Sequence, residues 1–224
     1  MAARPFGGRH RPKARSHVPA RLSDLSTYAR IRHAALEAFA SKGLAATSIR
    51  DVAAAAGVSP GLVQHHFVTK AGLRDAVNEY VVAVAGETFR DLIGDSTDAE
   101  LWTAMGNTVT AWVRDNGIAL RYLARALVED DPEAAKIFDA LVDLARTNWL
   151  APLARRGILD PKADKQWAAL HVIVFNLASV LFESTLDRHL PAPFSTPAQL
   201  DRWNAATTDL YRRGFTKPAR KRRS

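Results

Sequence analysis

The sequence contains no cysteine among its 224 residues. It can therefore form no disulfide framework and no thiolate metal site, and it has no cysteine nucleophile. Disulfides belong to oxidising compartments, so we expect a cytoplasmic protein. With 47% hydrophobic residues, the chain is long enough and apolar enough to bury a sizeable core without cross-links.

Long apolar runs are also missing. The most apolar stretch, residues 167–182, is interrupted by His171, Asn176 and Ser179, and it is shorter than the ~20 apolar residues that a bilayer span needs. No apolar signal-peptide core follows the basic N-terminus. We expect no membrane span and interpret residues 167–182 as a buried helix.

Acidic residues are absent from both ends of the chain, whose net charge is +8. Residues 1–22 hold six cations and residues 212–224 hold seven, whereas 18 cations face 23 acids between them. Because these ends are too poor in apolar residues to fold alone, we expect a disordered basic arm over residues 1–22 and a basic tail over 215–224. The arm either contacts nucleic-acid phosphates or stays a solvated tail.

Signatures of catalysis are missing as well. The sequence has no glycine-rich phosphate loop and no nucleophile motif, and His65 and His66 are adjacent rather than spaced as helical metal ligands. Residues 129–131 and 133 are acidic, but acids before a helix start are favoured by the helix dipole. We therefore expect no enzyme activity, no metal site and no cofactor.

No segment shows a convincing strand pattern. Apolar residues recur at helical spacing along most of the chain, which predicts an all-α fold. We expect helices at about residues 26–42, 49–56, 60–66, 69 onward, 98–115, 118–128, 132–155, 161–187 and 197–214, with a break at 94–97.

The segment TSIRDVAAAAGVSPGLVQHHFVTK, residues 47–70, predicts two short helices joined by a turn. Ser48 and Asp51 form a capping box at the start of the first helix. Gly57 follows its last apolar residue, where a left-handed backbone costs glycine little, and Ser59, followed by proline, caps the second helix. This spacing is typical of a helix-turn-helix; a compact helical hairpin of other function is the alternative.

The second helix of this segment should show one row of residues to solvent, because Val63 and Phe67 are four apart and can both face the core. The outward row has no acid. Glutamine can pair with an adenine edge, leucine can contact a thymine methyl, and glycine lets the backbone approach DNA closely. The row consists of Pro60, Gly61, Leu62, Gln64 and His65.

Residues 31–80 resemble the tetracycline-repressor (TetR) family of one-component bacterial transcription regulators. The specific elements are AALEAFASKG closing the first helix, TSIRDVAAAAGVS across helix and turn, HHF ending the recognition helix, and TK opening a fourth helix. Beyond residue 80 the resemblance is only architectural.

The resemblance implies that the chain binds a double-stranded DNA operator. The start of the second helix would hold phosphate, Arg50 would hold phosphate or reach a base, and Lys70 would hold phosphate at the fourth helix. Family members usually carry Tyr where this chain has Gln64, so the operator sequence does not follow. The implied DNA-binding residues are Thr47, Ser48, Arg50, Ser59, Pro60, Gly61, Leu62, Gln64, His65 and Lys70.

The resemblance also divides the chain into domains. A three-helix DNA-binding head with its linking fourth helix is expected at residues 23–86, with the helix-turn-helix at about 48–67. A helical ligand-binding and dimerisation domain follows at residues 87–214. The basic arm and the basic tail flank these two domains.

We expect a homodimer on an inverted repeat, because one short reading helix contacts few base pairs and two related by a twofold axis read two half-sites. The helix at 161–187 is apolar on several sides, which one neighbour cannot cover. By the resemblance, the last two long helices of each protomer pair at the dimer interface, with Leu200, Trp203 and Leu210 serving the partner helix.

By the resemblance, a pocket for an unidentified small-molecule effector lies among the helices of the C-terminal domain. Pockets are mostly apolar with a few placed polar groups, so His171 and Asn176 are candidates for orienting the ligand. Ordinary core packing is the alternative for each candidate. The candidates are Trp102, Met105, Trp112, Tyr122, Phe138, Trp149, His171, Phe175 and Asn176.

These expectations together describe a ligand-responsive transcriptional regulator, a repressor that leaves its operator when the effector binds. Tilting of the fourth helix would change the separation of the two reading heads. A DNA-binding dimer that needs no ligand, constitutive or architectural, is the alternative.

Deletion of residues 1–22 tests the role of the basic arm. If the arm contacts phosphates, the truncated protein should bind DNA more weakly and with a shallower dependence on salt, because fewer counterions are released. Filter binding at several salt concentrations measures both quantities. Unchanged affinity and slope would leave the arm as a solvated tail.

Overall fold

The computed structural model describes residues 26–89 and 97–216. The basic arm at 1–22, residues 94–96 of the expected break, and residues 217–224 of the tail lie outside the described residues. The described chain forms α1 (Thr27–Lys42), α2 (Ile49–Ala56), α3 (Pro60–Phe67), α4 (Lys70–Phe89), α5 (Asp98–Asp115), α6 (Gly117–Val128), α7 (Pro132–Leu144), a π-helical segment (Ala145–Leu150), α8 (Ala151–Arg155), α9 (Lys165–Leu181), α10 (Glu183–Leu186), a 3-10 turn (Asp187–His189) and α11 (Pro197–Phe215).

The all-α prediction is confirmed. Within the described residues the sole strand-like pairing is an isolated antiparallel bridge between Leu159 and Thr216. The helix expected at about residues 26–42 is confirmed as α1, whose ends are capped: the Ser26 side chain accepts a hydrogen bond from the Ala29 amide, and Gly43 ends the helix with a φ of 85°. Polar side chains that satisfy free amides thus set helix boundaries that are visible in the sequence.

The single helix predicted at residues 132–155 is continuous but changes its winding. Its middle part, Ala145–Leu150, has π-helical turns. Pro152 follows two residues later and has no amide hydrogen to donate to the carbonyl of residue 148. Wider turns of this kind occur mostly as short insertions at functional sites.

The prediction of one helix over residues 161–187 is wrong at both ends. The helix α9 begins at Lys165, because the Asp164 side chain accepts hydrogen bonds from the amides of Gln166 and Trp167 and so caps it there. It ends at Leu181, and the chain bends by 69° into residues 183–189. No single described helix is long and apolar enough to cross a membrane; the bent pair meets that length and composition only when taken together.

The DNA-binding head predicted from sequence and the helices that follow share one apolar core. Buried residues of this core come from α1 to α4, such as Ile31, Phe39 and Val77, and from α6 and α7, such as Leu123 and Ile137. The helix α1 packs against α6, and α4 packs against α7. A second core joins α5, the π-helical segment, α9 and α11.

Three polar contacts reinforce the junction between the head and the following helices. The Tyr122 hydroxyl donates to Asn78 Oδ1 at 2.6 Å, and Arg125 donates to the Ser41 carbonyl at 2.9 Å. Arg74 lies 3.8 Å from a carboxylate oxygen of Asp131. Burial raises the pKa of Tyr122, which keeps its hydroxyl a proton donor. The position of α6 is therefore tied to that of the head.

The turn after α3 contains a strained residue. Val68 has a φ of 52° and a ψ of −50°, and the Thr69 amide donates to the Phe67 carbonyl, which makes a γ-turn centred on Val68. This turn is rare, and the left-handed region is unfavourable for a β-branched residue. The Val68 side chain is 79% exposed and gains little from packing.

Val68→Gly should raise the free energy of unfolding by about 1 kcal/mol. Relief of strain worth ~1–3 kcal/mol exceeds the ~0.5–1 kcal/mol entropic cost of glycine. Urea unfolding followed by circular dichroism measures the change. As a control, Val128→Gly at the exposed end of α6, where φ is negative, should lower stability. A lower midpoint for Val68→Gly would contradict the assignment of strain.

Candidate nucleic-acid interface and ligand cavity

The two helices of the predicted helix-turn-helix are capped as expected. Ser48 and Asp51 form a reciprocal capping box at the start of α2, and Gly57 ends α2 with φ 66° and ψ 39°. The Ser59 side chain then accepts a hydrogen bond from the Leu62 amide and caps α3. Each turn of the backbone in this unit is thus prescribed by a local side chain or by glycine.

The helix α3 presents the predicted row to solvent. Val63 and Phe67 are buried, and the Phe67 ring lies 4.6 Å from the ring of Tyr28 on α1. His66 also turns toward Tyr28, at 6.2 Å between ring centroids. The five residues of the predicted outward row are all exposed: Pro60, Gly61, Leu62, Gln64 and His65.

The residues implied to hold phosphate do not all reach the surface. Ser48, Arg50 and Ser59 are exposed, and Lys70 is half-buried with its ammonium group 3.4 Å from the Ala45 carbonyl.

Thr47 differs from these residues, because it is 1% exposed. Its hydroxyl donates to the Gly43 carbonyl at 2.8 Å and lies 3.3 Å from the Ala38 carbonyl. The Thr47 side chain therefore joins α1 to α2 and is not presented to DNA.

The charge of Asp51 is taken up within the capping box. Hydrogen bonds from the hydroxyl and the amide of Ser48 hold the pKa of Asp51 below its ordinary value. The carboxylate also lies 4.0 Å from the Lys42 ammonium group. Both partners offset the carboxylate, which would otherwise repel an approaching phosphate.

A cavity lies at the far end of α4, between α5, α7, the π-helical segment and α9. Its outline takes in about 550 Å³ of space free of protein atoms, open solvent included. Phe89 ends α4 in this wall, and its ring lies 5.4 Å from the ring of Trp112. The lining residues are Phe89, Val109, Trp112, Leu141, Leu144, Ala145, Asn148, Trp149, Val172, Ile173, Asn176 and Leu177.

A second cavity of about 350 Å³ adjoins the first and shares Val109, Trp149 and Val172 with it. It lies between α5 and α11, where Gly106 lets the helices approach, since a Cβ there would collide with Asn204 and Thr208. Its lining contains Trp102, Met105, Gly106, Val109, Trp149, Val172, Trp203, Asn204, Thr207, Thr208 and Tyr211.

Five of the nine predicted ligand-binding residues line these cavities. Trp112, Asn176 and Trp149 line the first cavity, and Trp102 and Met105 join Trp149 in the second. The first-cavity residues that sequence reasoning missed are aliphatic except for Phe89 and Asn148. Their helical spacing resembles that of any core residue, so the sequence carries no signal for them.

The other four predicted ligand-binding residues lie elsewhere. Tyr122 is bonded to Asn78 at the head junction, and Phe138 packs against the core outside either lining. His171 and Phe175 are exposed, because the face of α9 that carries them points away from the cavity. The prediction that His171 orients a ligand in the cavity is therefore wrong.

An apolar face of α9 and α11 is exposed. Trp167, Val174, Phe175 and Leu181 on α9 and Phe182 directly after it are between 42% and 58% exposed, and Leu210 on α11 is 54% exposed. The two helices meet where the Phe175 ring lies 6.3 Å from the Tyr211 ring. We call these six residues the α9–α11 face.

The α9–α11 face corrects two expectations. The segment at 167–182 is buried on one side only. Leu200, which was expected to serve a partner helix, is 2% exposed and belongs to the protomer core, while Trp203 packs on Phe194 at 5.6 Å. Leu210 alone of the three expected residues is well exposed.

The acids at residues 129–133 have structural partners. Glu129 accepts from Arg125 at 2.8 Å, and Glu133 accepts from Lys136 at 2.7 Å. Asp131 caps α7 by accepting from the Glu133 amide. These contacts engage three of the four acids of the cluster.

Comparisons with known proteins agree with the resemblance found in the sequence. Residues 31–77 match the bacterial regulatory proteins of the tetR family. The HTH-type transcriptional regulatory protein RaaS of Mycobacterium tuberculosis is 32% identical over 144 residues, which cover 64% of this chain and 65% of that protein. The alignment thus spans slightly less than two thirds of the relative's length.

Solved structures share the fold along most of the chain. A regulatory protein in the tetR family from Rhodococcus RHA1 has a TM-score of 0.67 at 24% identity, covering 87% of this chain and 99% of that one. The ketosteroid transcriptional regulator KstR2 of Mycobacterium tuberculosis has a TM-score of 0.61 at 20% identity, covering 86% and 96%. Residues 31–77 therefore match the tetR family of bacterial regulatory proteins, and the described chain shares its all-helical fold with a solved regulator of that family.

Proposed function

We propose that this protein is a transcriptional repressor that binds an inverted-repeat DNA operator as a homodimer. It leaves the operator when a small molecule enters the first cavity, between α5, α7, the π-helical segment and α9. The observation that carries the proposal is the outward row of α3. It is held outward by the burial of Val63 and Phe67, it is free of acids, and it contains Gln64, which can pair with a base edge. Such a protein would work in the bacterial cytoplasm.

The proposed DNA contacts are divided between positioning and reading. Ser48 and Arg50 lie at the N-terminus of α2, and Lys70 lies at the N-terminus of α4. Both N-termini can hold phosphates. The exposed row of α3 would lie in the major groove. Thr47 is left out because its hydroxyl is bonded inside the head.

The helix α4 supports the proposed link between ligand and DNA. Its 20 residues span about 30 Å at the rise of an α-helix. One end follows the turn after α3, and the other end places Phe89 in the cavity wall against Trp112. A ligand that displaced Phe89 would shift α4 and with it the separation of two reading heads, so ligand and DNA would oppose each other through one coupling free energy.

The structural neighbours favour a small-molecule effector without specifying it. One structure with the same fold is a fatty acid degradation regulator from Bacillus halodurans, with a TM-score of 0.67 at 16% identity and coverage of 84% and 95%. At such identity only the fold is shared. The effector of this chain must be inferred from its own cavity.

Arg50→Ala and Gln64→Ala should weaken DNA binding in different ways. Loss of the Arg50 phosphate contact should lower affinity for all sequences and reduce the salt slope by about 1. Loss of Gln64 should cost ~1–3 kcal/mol on the selected operator and relax specificity at one position. Sequencing of genomic fragments retained by the protein supplies the operator, and fluorescence anisotropy supplies the affinities.

Arg155→Ala is the matched control, because Arg155 is an exposed cation on α8. Its affinity and salt slope should equal those of the parent. If the variants at residues 50 and 64 bind the operator as tightly as the parent, α3 is not the reading helix.

Val174→Asp should convert the proposed dimer into a monomer. In the proposed dimer, the α9–α11 face of one protomer packs against the same face of the second protomer. An unpaired carboxylate buried there is costly. Sedimentation velocity at micromolar concentration measures the change. Val128→Asp, at a 69% exposed valine outside the face, should sediment as the dimer. A monomeric parent protein would contradict the proposed interface.

A further inference from the structure

We propose that the ligand of the first cavity is an uncharged, mainly apolar molecule such as an alcohol. It carries one hydrogen-bond acceptor for the Trp112 indole and one donor for the Asn176 amide oxygen. This inference rests on the proposed ligand-binding function of the cavity and specifies the chemistry that it selects.

The first argument is the absence of charge in the described walls. Neither cavity is lined by Asp, Glu, Lys, Arg or His among the described residues. Arg146 belongs to the π-helical segment but turns outward to Asp143, at 3.6 Å. His171 is exposed on the other side of α9. A carboxylate or ammonium group in this cavity would lose its hydration and find no opposite charge, which is very costly.

The second argument is a pair of buried polar atoms without a partner. Trp112 and Asn176 are each 5% exposed and both line the first cavity. Trp112 Nε1, a donor, and Asn176 Oδ1, an acceptor, have no hydrogen-bond partner among the described residues. The Asn176 amide nitrogen donates to the Val172 carbonyl at 2.5 Å, which leaves the oxygen on the opposite side of the amide.

Unpartnered buried polar groups are rare and unfavourable in folded proteins, so a ligand that satisfies them gains specificity. An apolar competitor would leave both atoms unpaired. A ligand with a hydroxyl can accept from the indole and donate to the amide oxygen.

The adjoining cavity extends the same chemistry. Tyr211 is 7% exposed there, and its hydroxyl also lacks a partner among the described residues. Burial raises the pKa of Tyr211, so it stays neutral. The remaining polar groups of this lining are amides, hydroxyls and indole N–H groups.

Matched probe pairs test the proposal. The probes are 1-decanol against decanoate, and 2-naphthalenemethanol against 2-naphthoate, titrated at pH 7.5 by calorimetry into the full-length protein without DNA. We expect at least one alcohol to bind once per chain and its carboxylate to bind at least 10-fold more weakly. Equal or tighter binding of the carboxylates, or no binding of either alcohol, would overturn the proposal.

Two variants test the named atoms. Asn176→Leu and Trp112→Phe should each weaken binding of the alcohol by about 3- to 10-fold, the effect of one hydrogen bond. Both variants should bind 2-methylnaphthalene, which has no hydroxyl, with an affinity within about 2-fold of that of the parent protein. Asn107→Leu, at a residue that lines neither cavity, serves as the control. Melting curves establish whether each variant is folded. If Asn176→Leu does not fold, Trp112→Phe still tests the proposal. Parent-like alcohol binding by both variants would remove these atoms from recognition.

A separate operator assay distinguishes this inference from the proposed function. If alcohols bind as expected but the protein retains no specific DNA fragment, the regulator proposal fails and the cavity chemistry stands. If the protein binds its operator and only the carboxylates bind the cavity, the inference fails and the regulator proposal stands.

Discussion

The orientation of α3 depends on the burial of Val63 and Phe67. These two side chains lie four residues apart and enter the core of the head, where the Phe67 ring packs against Tyr28 of α1. A short helix held by two anchors on one side cannot rotate without exposing them, at a cost of about 1.5–3 kcal/mol for each large apolar side chain. The anchors thereby decide that Gln64 and His65 face outward, and every proposed DNA contact of α3 follows from this packing.

The head is not an independent unit in this protein. Its core continues into α6 and α7, and the contacts of Tyr122, Arg125 and Asp131 tie those helices to α4 and α1. The same helix α4 reaches Phe89 in the cavity wall. A displacement of Phe89 at the first cavity can therefore be transmitted to α3 through packed and hydrogen-bonded helices. Such a continuous connection is the physical condition for coupling between two sites.

Much of the head could be predicted from local chemistry. The caps at Ser26, Ser48 and Ser59, and the left-handed Gly57, act within four residues along the chain, so their signals are complete in a short sequence window. The bend after Leu181 has no such local sign. The burial of Thr47 was not predicted either, because it depends on how the segment after α1 packs back against that helix, where the Thr47 hydroxyl lies 3.3 Å from the Ala38 carbonyl.

By itself, the sequence determined the all-helical class and the capped pair of helices, because these follow from periodicity and from polar groups that cap their own helix. Tertiary structure alone decided which side of α9 faces the cavity. His171 and Asn176 lie on the same apolar helix, yet Asn176 is buried and lines the first cavity while His171 is exposed. A helix that is apolar on several sides does not encode its own rotation, because only the placement of its neighbours determines which side is covered.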